Sequence, residues 1–292
     1  VTFDTLSNAT AYTVTITATA NCSDLTIGAP LTGALTFAGS SALNVFGNFS
    51  IAGTNVTRTY TGTITFSATA TGKTLTFNGV AMAGAITFNG VGGGWTLQDA
   101  FNNGASSFTL TNGALDTNGQ TVTGGSFSSS NSNVRSLTLG ASTINLSTNW
   151  SFGTTGNLTF SANTSSITYG TGAQNASFAG GGLTYNNVTY NQINLVSATI
   201  SGANTFNKLT LAGLATKVAG VSISANQTVT GTLTINGNSS INRIFIYSNT
   251  IGTARTLTAA TVSVTNADFR DITGAGAGSW DLSAISGLSG DC

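Results

Sequence analysis

The sequence predicts an all-β fold, a right-handed parallel β-helix (β-solenoid) of about ten coils. Three observations predict it: one short phrase that recurs along the chain, turn residues between its copies, and an almost complete lack of helix signals. The best helix candidate, Asp281 to Ile285, is too short to form a convincing helix.

The recurring phrase is an apolar residue, a threonine and a second apolar residue. Its copies are unevenly spaced, and an average interval of about 25 residues is typical of stacked-repeat architectures. Alternate side chains of a strand face opposite sides, so we expect the apolar residues to fill the core and the threonines to face outward. The copies are Leu35-Thr36-Phe37, Ile64-Thr65-Phe66, Ile86-Thr87-Phe88, Phe108-Thr109-Leu110, Leu137-Thr138-Leu139, Leu158-Thr159-Phe160, Leu183-Thr184-Tyr185, Leu209-Thr210-Leu211, Leu233-Thr234-Ile235 and Leu257-Thr258-Ala259.

Gly and Asn, which tolerate positive φ, punctuate these segments where a coil must change direction. An antiparallel sandwich would use the same turns, and the short, equal steps from Ile64 to Leu75 and from Leu75 to Ile86 favour it. Two strands per coil would produce those steps equally well. The single proline, Pro30, suits either strand-rich body. The turn signals are Asn78-Gly79, Asn89-Gly90, Gly92-Gly93-Gly94, Asn112-Gly113, Asn118-Gly119, Gly180-Gly181-Gly182 and Asn236-Gly237.

Residues 1–292 lack a recognisable linker, so we expect a single elongated solenoid with irregular capping segments at both ends. The candidate caps are Thr13 to Thr17 and Asp268 to Ile272. The chain begins without Met, so we expect a processed product or a piece of a longer protein, and no apolar run is long enough to predict a membrane span. Cys22 and Cys292 are predicted to lie too far apart for a disulfide, leaving them unpaired or paired externally.

The chain has eight Lys plus Arg, eight Asp, no Glu and no His, and charged residues make up 5% of it. So few basic residues argue against a nucleic-acid partner. Without histidine, Ser-His and Cys-His catalytic groups are excluded and a zinc site is disfavoured. Gly92-Gly93-Gly94 lacks the Lys-Ser/Thr of a phosphate loop, so it predicts a tight turn. We therefore expect no enzyme activity, no catalytic residue, no metal and no cofactor, while the ligand-binding residues stay unassigned.

Two pairs of carboxylates are the candidates for glycan cleavage, which needs two acidic groups close together. Asp99 and Asp116 could fall on neighbouring coils, and Asp268 and Asp271 flank Arg270. Roles in turns and in an ion pair at the end of the solenoid are the competing interpretation. Aromatic side chains could stack on sugars, although packing in the core is the expected role for each: Trp95, Trp150, Trp280, Tyr185 and Tyr190.

The threonines at alternate positions from Thr57 to Thr65 are similar to the flat faces of ice-binding solenoids. We expect the uneven intervals between repeats to break such a lattice, which favours a scaffold over an ice-binding protein.

Several segments resemble β-helical proteins of uncultured bacteriophages described as tail-fibre, tailspike or virion structural proteins. The resemblance runs from Gly94 to the end of the sequence, while the part before it is similar only in style. It implies a virion appendage, no fixed catalytic motif and a parent chain that continues past Cys292. The segments are Gly94 to Asp99, Asn118 to Val122, Ser126 to Ser130, Arg135 to Gly140, Phe178 to Val188, Asn266 to Ile272, Gly278 to Ser283 and Gly290 to Cys292.

Two functions remain open at this stage. The first is a non-enzymatic structural or host-surface-binding component of a phage virion appendage, a tail fibre or spike, and the resemblance carries it. The alternative, a bacterial surface adhesin or extracellular filament subunit, needs only the solenoid, a near-neutral surface and exposed Thr ladders. Both predict a location on a virion or on an extracellular surface. The expected partners are other virion or filament subunits and host surface glycans, and a homotrimer is a symmetric assembly that would fit.

Overall fold

The computed structural model describes residues 1–4, 10–28, 32–170, 176–193, 198–277, 280 and 289–291. These residues are all-β, with no helix, and their parallel strands stack as a β-solenoid of about 11 turns. The predicted fold class is therefore confirmed, while the right hand of the coil stays a prediction. Pro30, Cys292 and the helix candidate Asp281 to Ile285 lie outside the described residues.

The strands of the first half are β1 (Thr2–Phe3), β2 (Tyr12–Ile16), β3 (Ala20–Cys22), β4 (Leu25–Ile27), β5 (Leu35–Gly39), β6 (Leu43–Val45), β7 (Phe49–Ile51), β8 (Val56–Arg58), β9 (Ile64–Phe66), β10 (Lys73–Thr76), β11 (Ile86–Leu97), β12 (Phe101–Asn102), β13 (Phe108–Asp116), β14 (Thr121–Gly124), β15 (Phe127–Ser128) and β16 (Arg135–Thr138). Those of the second half are β17 (Thr143–Leu146), β18 (Asn149–Ser151), β19 (Leu158–Ser161), β20 (Ser166–Tyr169), β21 (Ser177–Ala179), β22 (Thr184–Ile193), β23 (Ala198–Ser201), β24 (Thr205–Gly213), β25 (Ala219–Ile223), β26 (Gln227–Asn236), β27 (Ile244–Ser248), β28 (Arg255–Thr265), β29 (Ala267–Arg270), β30 (Ile272–Ala275) and β31 (Ser289–Asp291).

The chain forms two compact units. Unit 1 comprises residues 1–143 and 155–161, and unit 2 comprises residues 144–154 and 162–292.

Unit 1 contains three main parallel ladders. One follows β3, β6, β9, the first half of β11, the first half of β13, and β15. A second follows β4, β7, β10, the second halves of β11 and β13, β16 and β19. The third joins β2, β5 and β8. Long strands such as β11 thus serve two ladders, because a shift of register between Phe88 and Gly94 bends them at a corner.

Unit 2 contains two main parallel ladders. One runs through β18, β21, β23, β25, β27, β29 and β31. The other runs through β20, β22, β24, β26, β28 and β30.

Side chains alternate as predicted, with aliphatic and aromatic residues inside and threonines at the surface. Ile64, Phe66, Ile86 and Phe88 are at most 1% exposed, whereas Thr65 and Thr87 are partly exposed. Like residues stack from turn to turn, as in the pair Phe66 and Phe88, whose ring centroids lie 5.3 Å apart. Apolar columns of this kind are the main source of stability in such a body.

The turn residues adopt the predicted conformations at several corners. Asn78 and Asn118 have φ values of 49° and 52°, and the glycines that follow them have φ values of 77° and 71°. The segments expected to cap the two ends pair with neighbouring strands, β2 with β5 and β29 with both β27 and β31.

Candidate functional site

Asp99 and Asp116, the first pair of carboxylates, hold turns in unit 1. The carboxylate of Asp99 accepts hydrogen bonds from the backbone N–H groups of Phe77, at 2.8 Å, and of Asn78. Oδ1 of Asp116 accepts from the backbone N–H of Asn118 at 2.7 Å. Both arrangements match the turn role expected as the alternative to catalysis.

Asp268 and Asp271, the second pair, are also engaged. Arg243 donates from Nε and Nη2 to the two carboxylate oxygens of Asp268, at 2.8 and 2.9 Å. Asp271 accepts from the backbone N–H of Gly252 at 3.1 Å, and its Oδ2 lies 3.7 Å from Nε of Arg270. The two parallel hydrogen bonds between Arg243 and Asp268 fix the position of these side chains on neighbouring turns of the solenoid.

The aromatic residues considered for sugar stacking are mostly core residues. Trp95, Trp150 and Tyr190 are 1% exposed and Tyr185 is 2% exposed, which confirms the packing role. The indole N–H of Trp150 donates to the Tyr185 hydroxyl at 3.2 Å, and that hydroxyl donates to the backbone O of Gly180 at 2.8 Å. Burial raises the pKa of the Tyr185 phenol well above its ordinary value.

Trp280 is partly exposed, and its Nε1 donates to the backbone O of Ala275 at 3.0 Å. A Cβ built on Gly274 would lie 2.5 Å from the indole, so the ring packs directly on that glycine.

Gly92-Gly93-Gly94 lies inside β11, where a shift of register bends the strand into a corner of unit 1, and not in the separate tight turn predicted from the sequence. Gly92 has a φ of 76°, and a Cβ on Gly93 would lie 2.0 Å from the backbone O of Ala68. Because these corner residues lack side chains, a shallow cavity of about 250 Å³ opens beside them, bordered by Gly113, Ala114 and Ser136. Val134, Arg135 and Thr159 also line it, and its volume is below that of typical ligand pockets.

Outward threonines form regular columns, in keeping with the Thr ladders expected from the sequence. In unit 2, one column keeps its register from Thr168 to Ser263 although the chain between adjacent members grows longer toward Ser263. Unequal repeat lengths do not shift this column, because the extra residues lie in the turns. The array from Thr57 to Thr65 forms no such column, since Thr57 and Thr65 lie in different ladders, on β8 and β9. These columns offer rows of hydroxyl groups suited to neutral, polar surfaces. The column comprises Thr168, Thr189, Thr210, Thr234 and Ser263.

Sequence reasoning missed one surface of unit 2, which we call the aromatic patch: Arg243, Phe245, Tyr247, Asp268, Arg270 and Asp271. Phe245 and Tyr247 are partly exposed on the outer side of β27, with ring centroids 4.9 Å apart and planes inclined by 17°. The guanidinium carbon of Arg270 lies 5.1 Å from the Tyr247 ring centroid. The alternation Ile244-Phe245-Ile246-Tyr247 was the available signal, because inward isoleucines place both rings outside.

Across the described residues, no group of three or more His, Cys, Asp or Glu side chains is arranged to hold a metal ion. Cys22 is a free, partly buried thiol, and burial raises its pKa. Within that same part of the chain, no helix has the length and apolar character needed to cross a membrane.

Comparison with known proteins gives no relative to set beside this geometry, since no family model, no curated protein and no solved structure matches the chain.

Proposed function

We propose that the chain is a non-enzymatic structural or host-surface-binding component of a phage virion appendage, a tail fibre or spike. The observation that supports the proposal is how residue types are distributed between the core and the surface of the solenoid. Aromatic rings such as Trp95 and Trp150 pack inside, and uncharged hydroxyl columns such as Thr168 to Ser263 face outward. Such a surface suits support and weak multivalent contact more than the conversion of a substrate.

The environment of the carboxylates supports the non-enzymatic part. Glycan cleavage needs one carboxyl group to act as an acid and a second to act as nucleophile or base. Asp99 caps backbone amides, and Asp268 is held by both nitrogens of the Arg243 fork. The oxygens of these carboxylates are therefore engaged in structural hydrogen bonds within the chain.

The phage part rests on the resemblance of the segments from Gly94 onward to β-helical virion proteins. An appendage must contact many copies of a host-surface group, and glycans display repeated hydroxyl groups. Hydroxyl columns provide matching donors and acceptors without charge. The proposed setting is therefore a virion surface, with other virion subunits and host glycans as partners.

Imaging of purified particles tests the proposal most directly. Gold-labelled antibodies against the recombinant chain are expected to mark a tail fibre or spike in electron micrographs. Label found only on cell-attached filaments, with no capsid or tail present, would replace the proposal with the adhesin or filament alternative.

A second measurement tests the lack of activity. Host polysaccharide incubated with the chain is expected to release no oligosaccharide. Release that is lost on Asp99→Ala or Asp268→Ala, with Asp24→Ala as a control outside both pairs, would contradict the non-enzymatic assignment.

A further inference from the structure

Two adjoining cavities form a furrow on the outer side of unit 1, and we propose that this furrow binds an uncharged, linear glycan. The corner cavity of about 250 Å³ and a second cavity of about 160 Å³ share Thr71, Ala114 and Ser136 in their linings. The assignment rests on the glycan-binding part of the proposed function, to which it adds a site and a chemical class of partner.

The furrow follows two outward columns of the ladder that runs through β11, β13, β16 and β19. Neighbouring strands of a ladder are about 4.8 Å apart, so four strands in register give the furrow a length of roughly 14 Å. This shape suits an extended ligand that lies across the strands. The floor consists of Gly94, Ala114, Ser136 and Thr159, and the wall beside it consists of Thr96, Asp116 and Thr138.

Hydroxyl groups line the furrow and are available for hydrogen bonds. Each can donate one hydrogen bond and accept two. Asp116 adds a carboxylate whose Oδ1 accepts from the Asn118 N–H at 2.7 Å, and a carboxylate has room for further donors. A sugar, which carries a hydroxyl group on most of its carbons, matches this lining. Within the described ranges the following lining hydroxyls have no hydrogen-bond partner in the chain: Thr71, Thr96, Ser136, Thr138 and Thr159.

The charges along the furrow disfavour an acidic ligand. Arg135 is the cation among the lining residues, but it is 2% exposed and its guanidinium already donates to Ser129, Asn133 and Gly156. The charge that a ligand meets is therefore that of the partly exposed Asp116. It would repel a uronate, a sialic acid or a phosphate group, whereas a neutral sugar can donate its hydroxyl groups to it.

The remaining surroundings favour a sugar over a peptide. Strands β13 and β16 are paired on both sides, so an extended peptide finds no free strand edge to join. Val134 borders the corner cavity and is 77% exposed, which provides an apolar surface for the C–H groups of a sugar ring. A ring that packs there can turn its hydroxyl groups toward Thr96 and Thr138.

Isothermal titration calorimetry with the whole chain is the test. The probes are neutral glucan, galactan and mannan oligosaccharides and uronic-acid oligosaccharides of matched length. The wild-type chain is expected to bind at least one neutral probe and no acidic one. Ser136→Phe fills the floor and is expected to raise the Kd by about tenfold or more. Thr138→Val removes one hydroxyl group at nearly constant volume and is expected to raise the Kd by about twofold to tenfold.

Ser128→Phe and Thr87→Val are the matched controls, because they make the same changes at partly exposed positions of another ladder in unit 1. Both are expected to leave the Kd unchanged. Binding of acidic probes alone, no binding of any neutral probe, or equal weakening by the controls would each overturn the assignment. Neutral glycan binding that Ser136→Phe and Thr138→Val leave intact would overturn the furrow while the proposed function stands, and the labelling of virion appendages tests that function separately.

Discussion

The guanidinium of Arg135 donates hydrogen bonds to both the Oγ and the backbone O of Ser129, each at 2.7 Å. It also donates to the backbone O of Asn133 and of Gly156, at 2.9 and 2.8 Å. Arg135 is only 2% exposed, and burial lowers its pKa. One buried cation thus ties together backbone segments of successive turns at a corner of unit 1.

Replacing Arg135 by Met is expected to destabilise this corner by about 1–3 kcal/mol, because the buried Oγ and backbone O of Ser129 lose their donor. Hydrogen exchange should show faster amide exchange in the segment from Ser129 to Asn157. Arg135→Lys is the control that keeps the charge but lacks the planar fork, so it should rescue only part of the protection. Unchanged exchange in Arg135→Met would show that the corner does not depend on these bonds.

Asn204→Asp is expected to destabilise unit 2 with a characteristic pH dependence. Asn204 is 1% exposed, and its Nδ2 donates to the Ser201 backbone O and to Gln227 Oε1, both at 3.0 Å. A carboxylate would place a second acceptor against those oxygens, which costs about 1–3 kcal/mol or more.

Protonation of that new carboxyl group restores one donor, so its pKa in the folded variant is raised. The penalty is therefore largest at neutral pH and shrinks as pH falls. Urea unfolding of Asn204→Asp and wild type at several pH values measures this, with Asn207→Asp as an exposed control. A stability difference that is the same at every pH would contradict the argument.

Gly113→Ala should harm unit 1 more than Gly79→Ala does. Both glycines have positive φ, 84° and 77°, so either alanine incurs backbone strain of about 1–3 kcal/mol. At Gly113 the new Cβ would also lie 2.6 Å from the Gly90 backbone O, whereas Gly79 has no atom within 4 Å. Thermal unfolding of the two variants should rank them accordingly, and equal losses would show that the corner around Gly113 can relax.

Alkaline pH should weaken unit 1 through Tyr60. Its hydroxyl donates to the Ser41 backbone O at 2.6 Å, and burial raises its pKa from 10.0 to about 12. A folded pKa above the unfolded one favours the neutral phenol, so this contribution is complete below pH 10.0 and is lost as pH rises to about 12. Tyr60→Phe cannot ionise, so its unfolding free energy should fall less steeply over that window than the wild-type value.

The ladder of turns was predictable because strand periodicity and turn residues act locally. Ile64-Thr65-Phe66 alone predicts which side chains face inward, and Asn78-Gly79 predicts a turn. The register was not predictable from spacing, since the phrase at Phe108 lies in one ladder and the phrase at Leu137 in another. The interval from Phe108 to Leu137 is long because it contains one full turn of the solenoid and also the part of β13 that leads from the first ladder to the second.

The aromatic patch lay beyond sequence reasoning for a related reason. Phe245 and Asp268 are distant in the sequence, and only the pairing of β27 with β29 makes them neighbours. The role of Arg135 was equally hidden, because a lone basic residue in a polar sequence predicts a solvated side chain.

The column from Thr168 to Ser263 keeps its register although the chain between adjacent members becomes longer after Thr210. Turn length is therefore free to change by insertion or deletion while the strands stay in place. Residues can be inserted or deleted in the turns, near Ile241 or Ile251 for example, without changing the strands that stack into the solenoid. Sequence variation can thus accumulate in the turns while the stacked strands are preserved.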